Sequence, residues 1–205
     1  MTRITVSPET FTLVKFDRAR LIALAEEAAA AVAFPADVDV VIEVDEALPH
    51  PLTGSYAEIV DGRAELWFTG GSLEDPRYQS ALSEVNAIVE FGAALLRAHD
   101  RLSDGFIEAT ADAELSDRMR AIWDTYAEGR LARLDGFEVR EPRRRYAYRL
   151  YCGFSDVADS AYAQLWTADG LTWADLVEIA ARLDAADARE RPTKRTIRRE
   201  TLRAT

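Results

Sequence analysis

Residues 38–45 alternate apolar and acidic: Val38, Val40, Ile42 and Val44 share one face and Asp39, Glu43 and Asp45 the other, the two-residue period of a half-buried strand. The preceding segment has the helical period instead. From about Arg18 to Ala33, Leu21, Leu24, Ala25, Ala28 and Val32 fall on one side of an alanine-rich helix. Asp17 is placed to cap it, and Phe34-Pro35 ends it, because the residue before a proline avoids the helical region. After a loop with Pro49, His50, Pro51 and Gly54, two β-prone runs, Ser55–Val60 and Arg63–Thr69, flank Asp61-Gly62. Both residues of such a turn must accept positive φ, which Asp-Gly does readily, so the segment reads as a hairpin. A two-residue turn fixes the register by counting: Val60 opposes Arg63, Ile59 Ala64, Glu58 Glu65, Ala57 Leu66 and Tyr56 Trp67. One face is then apolar, and the other sets an aromatic pair beside two opposed glutamates that need solvation or a shared cation.

Gly70-Gly71 releases the chain. Asp75-Pro76 has the form of a capping aspartate followed by a proline at the first helical position, which predicts a helix from Pro76 to Ala98. Leu82, Val85, Val89 and Leu96 mark its buried stripe, with Ile88, Phe91 and Leu95 beside it. A second long helix is expected from Asp112 to Leu134, with Leu115, Met119, Ile122, Trp123, Tyr126, Leu131 and Leu134 inward and Asp135-Gly136 as its stop. Residues 141–145 read as a polar linker and residues 146–154 as an aromatic stretch. Two shorter helices follow at 155–167 and 172–187, the second opened by the capping pair Thr172 and Asp175. The expected class is α+β: an N-terminal helix, a small mostly antiparallel sheet with the Asp-Gly hairpin, two long packed helices and a helical C-terminal extension. On this reading residues 1–188 are one domain, with a core at 17–135 and the extension at 136–188. Residues 189–205 are a flexible basic tail.

A chain of 205 residues that is 48% hydrophobic can bury a sizeable core. It has no apolar run long enough for a bilayer and no secretory-type stretch near Met1, so the expected setting is the cytoplasm without membrane contact. The single Cys152 excludes an intramolecular disulfide and a thiolate-held structural zinc. The net charge of −11 disfavours general nucleic-acid binding, and 23 of the 25 basic residues are arginine. Charge is uneven: residues 189–205 carry a local +5 and the remainder −16, so a nucleic-acid contact is expected only through the tail, whose plainer role is attraction to the acidic body. Arg143–Arg149, interleaved with Tyr146 and Tyr148 and followed by Tyr151, could stack and clamp a single strand. In the plainer reading those tyrosines pack and the arginines answer the acidic surface.

The long helix contains Ser83-Glu84-Val85-Asn86-Ala87. Element order and this pentapeptide together resemble the zincin-like fold of small metallopeptidases, over roughly residues 17–135. In that family histidines one turn apart hold a zinc ion, the adjacent glutamate is the base for its water, and a later helix supplies a further ligand. The resemblance implies that Glu84 is a remnant base, that Ser83 and Ala87 stand at the two histidine positions, and that Asp124 or Glu128 occupies the third ligand's place. Ala87 cannot bind a metal and serine is a poor ligand, so a vestigial site is expected, with no bound metal and no cofactor. Only His50 and His99 exist, and neither has the spacing of a metal or di-iron site. No phosphate loop and no nucleophile elbow appear. The expected function is thus a non-catalytic, zincin-like interaction or regulatory protein with a protein partner. One alternative is a hydrolase whose carboxylates, from Glu58, Glu84, Glu90, Asp124 and Glu128, gather a divalent metal. Another is binding through the basic tail.

Overall fold

The computed structural model describes the backbone of residues 2–201 and the side chains of residues 2–189. Its larger sheet has the order β1-β2-β4-β3, formed by β1 (Ile4–Ser7), β2 (Val40–Asp45), β3 (Ser55–Val60) and β4 (Arg63–Thr69). Helix α1 (Arg18–Ala31) connects β1 to β2, and the two strands are parallel, as strands joined by a crossover helix are. Strand β2 also pairs parallel with β4, and within this sheet only the β3–β4 hairpin is antiparallel. The sheet is therefore mixed rather than mostly antiparallel. The reason is β1, four residues too short to show a period, together with the pairing of β2 to the far strand of the hairpin. The hairpin register matches the counted one at every pair, and φ is 49° at Asp61 and 75° at Gly62, positive at both turn residues. Asp17 caps α1 by accepting the amides of Ala19 and Arg20.

The next helix begins later than its sequence suggests. A one-turn helix α2 (Gly70–Leu73) leads to a small second hairpin, β5 (Glu74–Asp75) and β6 (Tyr78–Leu82), and α3 spans Glu84–Arg101. Asp75-Pro76 belongs to the hairpin turn: Asp75 opposes Tyr78 and its carboxylate accepts the amide of Arg77. Aspartate followed by proline fits a tight turn as well as a helix start, and here the turn wins because β6 has a partner strand. Ser83 supplies the actual cap, its hydroxyl accepting the amide of Asn86. Helix α4 is likewise shorter than expected, Asp117–Leu131 with Ser116 as cap; Asp112 lies in a 3-10 turn before it, and Leu134 is exposed beyond its end.

Residues 141–145, expected as a linker, open helix α5 (Glu141–Cys152), because a proline in the first turn costs no hydrogen bond. Helices α6 (Asp156–Thr167) and α7 (Trp173–Thr201) follow, capped by Ser155 and by the Thr172–Asp175 box. The expected tail lies, beyond Arg189, outside the residues whose side chains are described. Two apolar cores result. One joins the inner sheet face (Val40, Ile42, Ala57, Leu66, Phe68) to α1 and to Phe91 and Leu95 of α3. The other gathers Trp123, Tyr126, Tyr148, Tyr162, Leu165 and Leu176 from α4–α7. Helix α4 serves both, since Ala127 and Leu131 point to the first core. Its Gly129 passes so close to α6 that an added Cβ would lie 2.5 Å from the Trp166 carbonyl oxygen.

Candidate functional site

Of the pentapeptide at the start of α3, Val85 and Asn86 line a cleft, but the three candidate site residues do not. Ser83 is spent as the helix cap, Ala87 is fully buried in the first core, and Glu84 is 53% exposed. Glu84 is held from α1 by a bidentate pair with Arg20, Nε to Oε1 and Nη2 to Oε2 both at 2.7 Å. That hydrogen-bonded guanidinium lowers the Glu84 pKa, the opposite of what a general base needs at neutral pH. The expected stripe on α3 also divides: Phe91, Leu95 and Leu96 are buried, Leu82 belongs to β6, Val85 is exposed and Val89 is half-buried.

Polar chemistry concentrates on two other parts of α3. Toward its C-terminus a seam of charges closes the edge of the sheet. Arg97, 1% exposed, places Nη2 at 2.5 Å from Asp112 Oδ2 and Nη1 at 2.7 Å from Asp124 Oδ1. Arg101 reaches Asp112 Oδ1 at 2.9 Å and Glu58 Oε1 at 3.1 Å, and donates to the Ala57 carbonyl. Asp112 in turn accepts the Ala57 amide at 2.9 Å, while its own amide donates to Glu58. Strand β3 is an edge strand whose free backbone groups at Ala57 are thus taken up by side chains, which bars another strand from adding there. The opposed glutamates of the hairpin each have a guanidinium, Arg101 for Glu58 and Arg63 for Glu65 at 3.8 Å. Nearby, Asp100 accepts the Trp123 indole N–H at 2.8 Å and a bidentate Arg130. Sequence reasoning missed Arg97, Asp100, Arg101 and Asp112; for the three on α3 the visible signal was charged residues inside an otherwise apolar helical stretch, while Asp112, in its 3-10 turn, had none.

One turn toward the N-terminus the same helix lines a cleft of about 320 Å³ between α3, α4, α5 and the start of β3. Asn86, Glu90 and Arg97 face it at helical spacing, with Val85, Val89 and Ala93 beside them. From α4 come Asp124 and Glu128, four residues apart, and from α5 Arg143, Arg144, Ala147 and Leu150. Arg144 pairs with Glu128 and lies 3.5 Å from Asp124. Desolvation pulls the Arg144 pKa down, but Glu128 and Asp124 outweigh it and the net direction is up, so the guanidinium is a permanent cation among these carboxylates. Glu90 has no hydrogen bond or ion pair among the described residues. Burial, then the charge of Glu128, pushes its carboxyl up to about 7 against the opposing pull of Arg144 and Arg143.

No family model, curated protein or solved structure matches this chain. Of the five carboxylates considered together from sequence, the cleft unites Glu90, Asp124 and Glu128; Glu58 lies in the seam and Glu84 at the surface. Among the described residues no group of three or more His, Cys, Asp and Glu side chains is arranged to hold a metal ion. His50 is exposed in its loop, and His99 packs edge-on against Phe34 with ring centres 6.1 Å apart. The arginines of α5 answer acidic neighbours, Arg144 with Glu128 and Arg149 with Asp159, and Tyr148 is buried, while Tyr146 and Tyr151 remain exposed. Burial raises the Cys152 thiol to about 11, so it is not a nucleophile at neutral pH. No helix among the described residues is long and apolar enough to cross a membrane.

Proposed function

We propose that this chain is a non-catalytic interaction or regulatory protein of zincin-like build, whose cleft binds a ligand and keeps an arginine where a metallopeptidase keeps its metal. Support comes first from the arrangement of elements: a parallel β1-β2-β4 core, an antiparallel edge strand, then α3 with α4 facing it across the cleft. In that frame the glutamate facing the cleft is Glu90 rather than Glu84. The spacing His-Glu-x-x-His then falls on Val89-Glu90-Phe91-Gly92-Ala93, with Val89 and Ala93, both cleft-lining, at the histidine positions. Asp124 and Glu128 come from the later helix.

The observation that carries the reading is Arg144. Its guanidinium already neutralises Glu128 and Asp124, so the charge a metal would supply comes from the chain itself. The divalent-metal hydrolase has less support, because Asp124 is also held by Arg97, and Glu58 and Glu84 lie elsewhere. Metal analysis of protein purified without chelating resin tests this. The expected result is substoichiometric metal and no peptidase activity. One tightly held ion per chain, lost on Glu128→Gln, or peptide hydrolysis lost on Glu90→Gln, would overturn it.

A further inference from the structure

The cleft lining carries charges of both signs that form no ion pair among the described residues. Toward its floor is half-buried Glu90, which makes no ion pair among the described residues though the charges of Arg144 and Arg143 act on it; at its rim are Arg140 and Arg143, both exposed and neither ion-paired among the described residues. Val89, Ala93, Ala147 and Leu150 supply apolar wall between them. Resting on the binding-cleft reading above, we propose that the ligand is a small dipolar molecule, an ammonium joined by a short alkyl body to a carboxylate, with the ammonium on Glu90 and the carboxylate between Arg140 and Arg143.

An ammonium suits the floor better than a divalent ion. A metal needs several free carboxylates, but Asp124 and Glu128 are engaged by Arg97 and Arg144. An ammonium needs one carboxylate and further acceptors for its remaining N–H groups, and Glu128 Oε2 is not used by Arg144. At the rim a carboxylate fits the guanidinium fork, although Glu138, also at the rim, offsets part of the positive charge. The volume of about 320 Å³ is that of a small-molecule site. Strand addition by an extended peptide is excluded beside it, since the Ala57 amide and carbonyl are already bonded to Asp112 and Arg101.

The ammonium binds only the ionised carboxylate. The charged groups lining the cleft around Glu90 are Arg120, Asp124 and Glu128 on α4, Arg143 and Arg144 on α5, Glu138 and Arg140 before α5 and Arg97 on its own helix. With Glu90 titrating at about 7, affinity is present above that pH and falls below it. Between about pH 8 and about pH 6 the ionised fraction drops by about tenfold, and affinity with it.

Calorimetry and methyl NMR on the full chain test this with three probes: 6-aminohexanoate, hexylamine and hexanoate. The amino acid is expected to shift the methyls of Val89 and Ala147, to bind about tenfold tighter near pH 8 than near pH 6, and to lose binding on Glu90→Gln. Glu90→Gln keeps the side chain's shape, and an unchanged thermal transition checks that it folds. The double variant Arg140→Ala/Arg143→Ala should bring 6-aminohexanoate down to the affinity of hexylamine. Hexanoate binding as tightly as the amino acid, or best near pH 6, would overturn the proposed ligand while leaving a binding cleft in place. No methyl shift with any probe would also overturn it. Stoichiometric metal that shifts those methyls and displaces the probe would overturn the underlying non-catalytic reading instead.

Discussion

The seam and the cleft share one helix, and even share Arg97 and Asp124, yet they treat charge in opposite ways. In the seam Asp112 meets guanidinium groups and the Ala57 amide, Glu58 meets Arg101 and the Asp112 amide, and no buried side-chain atom of Arg97, Arg101 or Asp112 lacks a partner. In the cleft Glu90 makes no hydrogen bond or ion pair among the described residues, although Arg144 and Arg143 act on it through space. Buried charges that satisfy one another hold a structure in one arrangement. A charge left unmatched beside open volume costs free energy until something arrives to match it. Polar groups in a helix core are therefore not equivalent hints of function, and the difference lies in whether their hydrogen-bonding capacity is already used.

The sharpest way to break this comparison is to remove the centre of the seam. Asp112→Ala leaves Arg97 buried with one carboxylate instead of two and frees the Ala57 amide. The expected loss is about 3–5 kcal/mol of unfolding free energy, read by urea denaturation. A loss below about 1 kcal/mol would show that the seam is a solvated surface pair.

Next in size is the cleft's internal cation. Arg144→Met removes the partner of Glu128 and leaves Glu90, Asp124 and Glu128 facing one another. Destabilisation of about 2 kcal/mol is expected, smaller than in the seam because Arg144 and Asp124 keep some solvent. Millimolar Mn²⁺ should recover part of the loss in this variant and do nothing for the parent chain, with thermal unfolding as the measurement. Equal stabilisation of both would mean that the parent cleft binds metal despite its arginine.

How much of this was legible depends on how local each signal is. The Asp61-Gly62 turn fixes both φ angles and the register by itself, so the hairpin pairs follow from counting. Asp17 and the Thr172–Asp175 box act within a single turn and are legible for the same reason. Asp75 and Asp112 carry the same capping chemistry but serve elsewhere: Asp75 in the tight turn of the β5–β6 hairpin beside Arg77, and Asp112 with the distant Arg97 and Arg101. Long-range pairing outweighs local preference there, and nothing in the neighbouring residues announces it. The site was half visible. Glu90 and Glu128 stood among the candidate carboxylates, but apolar Val85 and Val89 read as core when they are a cleft wall, because hydrophobic periodicity does not distinguish a buried stripe from the lining of a pocket.

Glu90 itself gives a smaller effect with a definite sign. Its folded pKa of about 7 lies above its ordinary 4.5, so below about pH 4.5 both states are protonated and the residue is neutral toward stability. As pH rises toward 7 the unfolded chain ionises first, and the native state is penalised until the folded carboxyl also ionises. Glu90→Gln removes that penalty and should stabilise the protein by about 1–2 kcal/mol near pH 8, with the gain vanishing near pH 4. Denaturation midpoints across this range measure it. A gain independent of pH would mean that Glu90 titrates normally.

The smallest effect belongs to Glu84, which stands six residues before Glu90 on α3. Six positions on a helix is a rotation of roughly 240°, enough to carry a side chain from the cleft to the surface facing α1. Its pair with Arg20 is well formed in geometry, but both side chains are about half exposed, at 53% and 44%, and water solvates each charge nearly as well when the pair is broken. Glu84→Ala should therefore leave the denaturation midpoint indistinguishable from the parent at moderate salt, and leave 6-aminohexanoate binding unchanged, where Glu90→Gln alters both. A loss of ligand binding in Glu84→Ala would return the functional site to the start of the helix and collapse the distinction between the two glutamates. The resemblance that first drew attention to residue 84 would then have had the right helix turn after all, whereas the paired guanidinium, the exposure and the lowered pKa all favour residue 90.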